Sequence, residues 1–184
     1  MPFMPTKLPG VIIFEPKVFG DSRGYFFESY NADVFKQAGI DAVFVQDNES
    51  RSNYGVLRGL HFQRAPHAQA KLVRVAQGKV LDVVVDIRKD SPQCGQWISV
   101  ELSAENRRQL FVPRGYAHGF VSLSNEVVLL YKCDNFYHPP SEAGIRYDDA
   151  TLNIDWQIPR LDISVSAKDA ALPVWLLLQQ AMHR

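Results

Sequence analysis

A chain of 184 residues, 46% of them hydrophobic, is the size of one domain, here taken as residues 1–184, and can bury a sizeable core without disulfides or metal. Twenty basic and twenty acidic side chains cancel to a formal charge of zero, so no global field favours nucleic acid or an anionic membrane, and any anion site must be local. The two cysteines, Cys94 and Cys133, have neither metal-ligand nor disulfide-framework spacing; with no apolar run near the ~20 residues of a membrane span and no signal-peptide pattern at the start, a soluble cytoplasmic protein is expected.

In chain order, residues 11–14 predict a short strand that Pro16 ends, followed by a polar turn over residues 20–24. Residues 25–30 are extended and aromatic-rich with Glu28 among them, and Asn31 is placed to cap a brief helix that Gly39 stops. Residues 46–53 are too polar for a core strand unless ligands or turns satisfy them, and a solvated loop is the plain alternative. From Gly55 onward the pattern is of strands separated by turns: 55–63, 72–76, 80–87 with Asp82 and Asp86 as its only charges, 97–102, 110–112 ended by Pro113, 119–123 and 127–131. Many short strands with turn residues between them predict an all-β antiparallel sandwich or barrel, and no 20 to 50 residue repeat points to a solenoid. After Asp148 the chain becomes irregular, and residues 172–182 predict a terminal helix whose Trp175, Leu176, Leu177 and Leu178 need a surface to dock on.

The stretch from Gly55 to Lys71 sets Arg58, His61 and Lys71 within segments that otherwise read as buried strand. By alternation His61 faces the side of Gly59 and Gln63, opposite Leu60 and Phe62. A lone histidine there is either a hydrogen-bonded structural residue or a catalyst. Arg58 and Lys71 favour a site, because a strand-borne cationic cluster needs carboxylates or a bound anion, and a phosphate-bearing ligand would serve. The Pro/Gly turn at Pro113, Arg114 and Gly115 leads to His118, which either bonds backbone carbonyls in a tight loop or contacts a ligand. Tyr131 is a core tyrosine or a proton donor in a dry cavity. Ser166 to Asp169 fits a helix start with Ser166 as cap; the carboxylate of Asp169 could instead orient a histidine and stabilise its protonated form.

Five histidines, His61, His67, His118, His138 and His183, form no His-x-His or His-x-x-x-His pair, and Cys-x-x-Cys is missing, so no bound metal is expected. Gly-x-Gly-x-x-Gly, the phosphate-binding loop and Gly-x-Ser-x-Gly are missing too, which removes the usual carriers of hydride transfer, nucleotide hydrolysis and serine esterase chemistry.

The segments 58–63 (Arg, Gly, Leu, His, Phe, Gln), 70–75 (Ala, Lys, Leu, Val, Arg, Val), 102–106 (Leu, Ser, Ala, Glu, Asn), 114–120 (Arg, Gly, Tyr, Ala, His, Gly, Phe) and 166–169 (Ser, Ala, Lys, Asp) resemble, in order and wording, the dTDP-4-dehydrorhamnose 3,5-epimerase family of rhamnose biosynthesis. The resemblance implies a cupin-type jelly roll (double-stranded β-helix), a homodimer, no cofactor, and conversion of dTDP-4-dehydro-6-deoxy-glucose to dTDP-4-dehydro-L-rhamnose. It implies His61 as base, Asp169 as its orienting carboxylate, Tyr131 as acid on the opposite face, and Lys71 as the cation beside the enolate oxygen. It further implies a nucleotide-sugar site of Arg23, Glu28, Gln46, Asp47, Asn48, Arg58, His118, Glu142 and Lys168, with Arg58 and His118 near the diphosphate. Tyr137 would stack on thymine, Phe19 is a second candidate for that slot, and Arg23 and Glu28 would reach the partner subunit's site. Phe62 stands where the family often has tyrosine, and the chain after Pro173 is outside the resemblance. Epimerisation at C3 alone, keto-sugar isomerisation between C4 and C3, and a non-catalytic nucleotide-sugar-binding cupin are the other readings.

Overall fold

Apolar runs of four to eight residues, cut by Gly and Pro turns, pair into two facing antiparallel sheets in the computed structural model of the chain, which describes residues 2–182. His183 lies outside the described residues. In chain order the elements are β1 (Phe3–Pro5), β2 (Ile12–Phe14), β3 (Phe19–Asp21), β4 (Gly24–Phe26), α1 (Ala32–Gln37), β5 (Gln46–Ser52), β6 (Leu57–Gln63), β7 (Lys71–Gln77), β8 (Lys79–Asp86), β9 (Trp97–Ser103), β10 (Gln109–Val112), β11 (Tyr116–Ser122), β12 (Val127–Cys133), β13 (Glu142–Gly144), α2 (Ala167–Ala170) and α3 (Trp175–Met182). One sheet has the order β1-β2-β10-β7-β12-β5, the other β13-β6-β11-β8-β9, and β3-β4 stands apart as a hairpin. This is the cupin-type β-sandwich expected from the resemblance.

Alternation decides what each strand gives to each layer. On β8, Val80 and Val84 enter the core between the sheets with Val73, Leu110 and Leu129, whereas Leu81, Val83 and Val85 face outward onto Trp156, Trp175 and Leu178 of the C-terminal segment. Both faces are covered, which is why 80–87 reads as a continuous apolar run. Asp82, between Val80 and Val84, therefore points into the intersheet space. The outer face of the first sheet is covered in turn by Phe35 of α1, packed with Phe14, Ile40, Leu72 and Phe111. Each such aliphatic or aromatic side chain contributes about 1.5–3 kcal/mol when fully buried.

The cap of α1 is as expected: Asn31 Oδ1 accepts from the backbone N–H groups of Asp33 and Val34, and Gly39 has a positive φ. Residues 46–52 are a correction to the loop reading. They form β5, an edge strand laddered to β12 from Gln46↔Cys133 to Ser52↔Val127. Its even-numbered side chains are half-buried or buried and its odd-numbered ones exposed, so the polarity of the run reflects an edge position beside a cavity rather than an absence of structure. β11 begins at Tyr116, three residues before the expected strand, and α3 begins at Trp175 rather than 172. Trp175 and Leu178 dock on the second cluster, while Leu176 and Leu177 remain exposed. Among the described residues no helix is long and apolar enough to cross a membrane.

Candidate active site

A cleft of about 670 Å³ opens between the sheets and is lined by Arg58, His61, Lys71, His118, Tyr131 and Asp169 among others. A neighbouring recess shares His61, Lys71 and Tyr131 and adds Gln46, Asn48, Cys133, Tyr137 and Glu142. The two sheets supply different groups. His61 on β6 and His118 on β11 belong to one wall; Lys71 on β7 and Tyr131 on β12 belong to the other.

His61 Nε2 lies 2.8 Å from Asp169 Oδ1, across 108 residues of sequence. Asp169 reaches this place from the first turn of α2, where its backbone N–H donates to Ser166 Oγ at 3.0 Å. The helix start is as expected, and from it the Asp169 carboxylate meets the imidazole of His61. Its second oxygen accepts from the Gly59 N–H at 3.3 Å. Gly59 has φ +134°, and a Cβ there would come 2.5 Å from Gly119 Cα, so a side chain would force β6 and β11 apart. Asp169 is 4% exposed. Burial alone would raise its pKa, but the hydrogen bonds from His61, Gly59 and Ser166 outweigh it and hold the carboxyl below the usual range. The imidazole thus faces a carboxylate.

His118 is the direct cross-strand partner of His61 in the β11–β6 ladder, and facing residues in such a pair have Cβ atoms about 5 Å apart. Its Nε2 lies 2.9 Å from each oxygen of Asp82, which is completely buried. The partner of His118 is therefore an Asp side chain and not a backbone carbonyl, and Asp82, whose place in an apolar strand had no explanation, is there as its hydrogen-bond partner. Two histidine–aspartate pairs stand side by side on this wall.

On the facing wall, burial pushes the Lys71 ammonium below its usual pKa, opposed only partly by Cys133, Asp82 and Glu142 at longer range. Among the described residues no side-chain hydrogen bond to an anion offsets that burial. Its Nζ is 5.8 Å from the centre of the Tyr131 ring. Burial raises the pKa of Tyr131, so the phenol keeps its proton, and the Cys133 thiol is pushed up to about 11 and stays protonated. An uncompensated ammonium beside a protonated phenol suits a ligand that brings or develops negative charge.

At the rim, Arg58 is exposed and its guanidinium donates to Ser52 Oγ at 3.2 Å and to the Arg51 carbonyl at 3.3 Å. Lys168 Nζ and the Tyr137 hydroxyl both donate to Glu142 Oε2, at 2.7 and 2.6 Å. Burial would raise the Glu142 pKa, but these two donors hold it below the ordinary carboxylate range. Gln46 ties the recess together, its Nε2 donating to Asn48 Oδ1 and its Oε1 accepting from the Tyr137 N–H.

Four residues expected at the site do not join it within one chain. Asp47 projects from the exposed side of β5 and pairs with Lys132 at 2.9 Å; alternation along β5 turns it away from the neighbours Gln46 and Asn48. Arg23 sits on the exposed β3–β4 hairpin, paired with Asp21, and Glu28 follows it, bonded to Asn31. Phe19, the second candidate for the thymine slot, is on the same hairpin. Two groups at the site were missed: Asp82, buried behind His118, whose signal was a lone charge in an apolar strand, and Ser50 of the cleft lining, whose Oγ is buried and, among the described residues, without a hydrogen-bond partner, and which shares the even-numbered face of Gln46 and Asn48. Among the described residues no three His, Cys, Asp or Glu side chains cluster as metal ligands would.

Residues 5–176 match the family described as dTDP-4-dehydrorhamnose 3,5-epimerase. The chain is 56% identical over 178 residues to the dTDP-4-dehydrorhamnose 3,5-epimerase of Salmonella typhimurium, covering 96% of this chain and 95% of the relative. Among solved structures, it is similar to the dTDP-6-deoxy-D-glucose-3,5-epimerase of Legionella pneumophila in complex with dTDP-4-keto-L-rhamnose, with a TM-score of 0.91, 48% identity, and 95% and 93% of the two chains covered. It is also similar, at a TM-score of 0.85 and 32% identity over 96% and 97% of the chains, to a 3'-monoepimerase from Streptomyces bikiniensis in complex with dTDP-quinovose.

Proposed function

The chain belongs to the dTDP-4-dehydrorhamnose 3,5-epimerase family, and from that premise we propose that its cleft inverts C3 and C5 of dTDP-4-dehydro-6-deoxy-glucose to give dTDP-4-dehydro-L-rhamnose. One observation carries the reading: a carboxylate-backed imidazole on one sheet and a protonated phenol on the other line one cleft, with the Lys71 ammonium beside the phenol. The C4 ketone acidifies the hydrogens on C3 and C5. His61 takes a proton from one face, leaving an enolate whose oxygen Lys71 stabilises, and Tyr131 returns a proton to the opposite face. Inversion follows from the base and acid standing on separate walls. A bound sugar presents C3 and C5 in turn to the same pair; between the two inversions His61 releases its proton to solvent and Tyr131 regains one from it, and no electrons are exchanged, so the reaction calls for no redox cofactor.

Arg58, His118 and Lys168 supply cationic or proton-donating groups for the diphosphate, and Asp82 supports His118 in that role. Tyr137 offers a half-exposed ring to the thymine, fixed by Glu142 and Gln46. Arg23 and Glu28 serve the site of a second subunit: Phe19, Tyr25 and Phe26 leave the β3–β4 hairpin with exposed aromatic surface that a homodimer would cover. One domain, a homodimer and a cytoplasmic location complete the proposal. Epimerisation at C3 alone is favoured only by the likeness to the 3'-monoepimerase at 32% identity, against 56% to the Salmonella enzyme.

A proton NMR time course with dTDP-4-dehydro-6-deoxy-glucose in deuterated water is expected to show solvent deuterium entering at both C3 and C5. Exchange confined to one carbon would reject the double epimerisation, and no exchange would leave a binding protein.

A further inference from the structure

We infer that Gln63 is the positioning residue for the aromatic platform formed by Tyr137, and so sets affinity for the base end of the nucleotide sugar; the inference rests on reading Tyr137 as that platform. Gln63 lies on β6 two residues beyond His61, on the same face, and is 7% exposed. Its Oε1 accepts from the His138 N–H at 2.7 Å, and its Nε2 donates to the Phe136 carbonyl at 3.2 Å. One carboxamide thus grips the backbone on both sides of Tyr137. The same Nε2 donates to the His67 carbonyl at 2.6 Å, which ties in the turn before β7. There the His67 and His138 rings stack with centroids 3.7 Å apart and 13° between planes.

Three other bonds hold the platform backbone: Gln46 Oε1 accepts the Tyr137 N–H, Asn135 Oδ1 the Phe136 N–H, and the His138 carbonyl the Ser141 N–H. Tyr137 is 52% exposed, its neighbour Phe136 65%, and the segment has no helix or strand ladder of its own. The Tyr137 side chain has one hydrogen bond, to Glu142. Ring orientation therefore depends on the five backbone bonds at 136, 137 and 138, of which Gln63 makes two, one on each side of Tyr137. A carboxamide suits the position because it carries an acceptor and two donors on one plane; glutamate has no donor, and methionine offers neither N–H nor carbonyl. Holding the ring in place before the ligand arrives removes an ordering cost from binding. Gln63 makes no bond to His61, Lys71, Tyr131 or Asp169, so the effect belongs to binding and not to proton transfer.

The test is calorimetric titration of the full chain with dTDP and, separately, with inorganic diphosphate. Gln63→Met is expected to weaken dTDP binding on the order of tenfold, the equivalent of one or two net hydrogen bonds, and to leave diphosphate within about twofold. KM for the nucleotide sugar is expected to rise by a like factor with kcat within about twofold, and Gln63→Met is expected to add nothing to Tyr137→Ala. Should the methionine variant not fold, Gln63→Asn, too short to span both loops, is expected to give the same signature. Equal loss for both ligands, or unchanged dTDP affinity while Tyr137→Ala weakens it, would overturn the role of Gln63 alone. If Tyr137→Ala itself spares dTDP, the base-platform reading falls, and this inference with it.

Discussion

Replacing Asp169 by asparagine keeps the shape of the side chain and removes its charge. In the native chain one oxygen faces His61 Nε2 at 2.8 Å and the other accepts from the Gly59 N–H at 3.3 Å. An asparagine has one acceptor for these two donors. If its carbonyl serves Gly59, its amide meets the imidazole and imposes the wrong tautomer; if it serves His61, an N–H faces an N–H at Gly59. Either way a charge-assisted hydrogen bond, about 1.5–3 kcal/mol, is lost and the imidazolium formed during proton abstraction has no counter-charge. We expect kcat to fall by ~10² to 10⁴, the usual contribution of a positioned base, with KM little changed because Asp169 is not assigned to the ligand. The assay is the initial rate of deuterium entry at C3 and C5 under saturating substrate.

Stability provides an independent reading of the same carboxylate. Asp169 has its folded pKa below the ordinary value of 3.8, so its contribution is fully present above that value and is lost as the pH falls through the depressed folded value. Asp169→Asn should therefore be less stable than the native chain at neutral pH by about 1–3 kcal/mol, with the gap narrowing in acid. Urea titrations at pH 7 and near pH 3 measure the gap. Turnover within a factor of about five of the native enzyme would refute the orienting role, since a positioned base contributes far more than that.

Three further outcomes test the opposite wall and the core. Lys71→Met should lower kcat by ~10² or more, as removal of one oxyanion donor does; because burial depresses the lysine and raises the Tyr131 phenol, the alkaline loss of activity should come below the ordinary lysine range and should move upward in Lys71→Arg, and a limb that stays put would reject Lys71 as its source. Tyr131→Phe should retain C–H exchange with solvent better than net inversion, as followed by the NMR signals of substrate and product; equal loss of both would contradict a pure acid role. Asp86 is completely buried and bonded to Arg88 and Ser91, which outweigh burial and hold its pKa low, so Asp86→Asn should lose about 2–4 kcal/mol at neutral pH and the loss should shrink as the pH falls through the depressed value; an equal loss at all pH values would show that the charge is not what matters.

Much of this protein is legible locally. Period-two alternation from Gly55 onward, Gly and Pro at the breaks, the Asn31 and Ser166 caps and the apolar run around Asp82 are all properties of neighbouring residues, and they specify strands and caps because backbone sterics and hydrogen bonding act over a few positions. The ordered segments around His61, Lys71, His118 and Asp169 also identify the family without any coordinates. What the chain by itself could not decide is which side chains meet. Residues 46–52 became a strand because β12 offers a ladder and the cleft tolerates polar side chains along one edge; that pairing also turned Asp47 outward, away from a neighbour on either side that faces in. Asp82 found His118 through the β8–β11 register, Asp169 found His61 across 108 residues, and the stretch from Gly55 to Lys71 was itself divided, His61 on one sheet and Lys71 on the other. Those placements depend on strand order and sheet packing, set by burial of apolar surface over the whole chain, so only the tertiary structure brings His61, Tyr131 and Lys71 around one cavity.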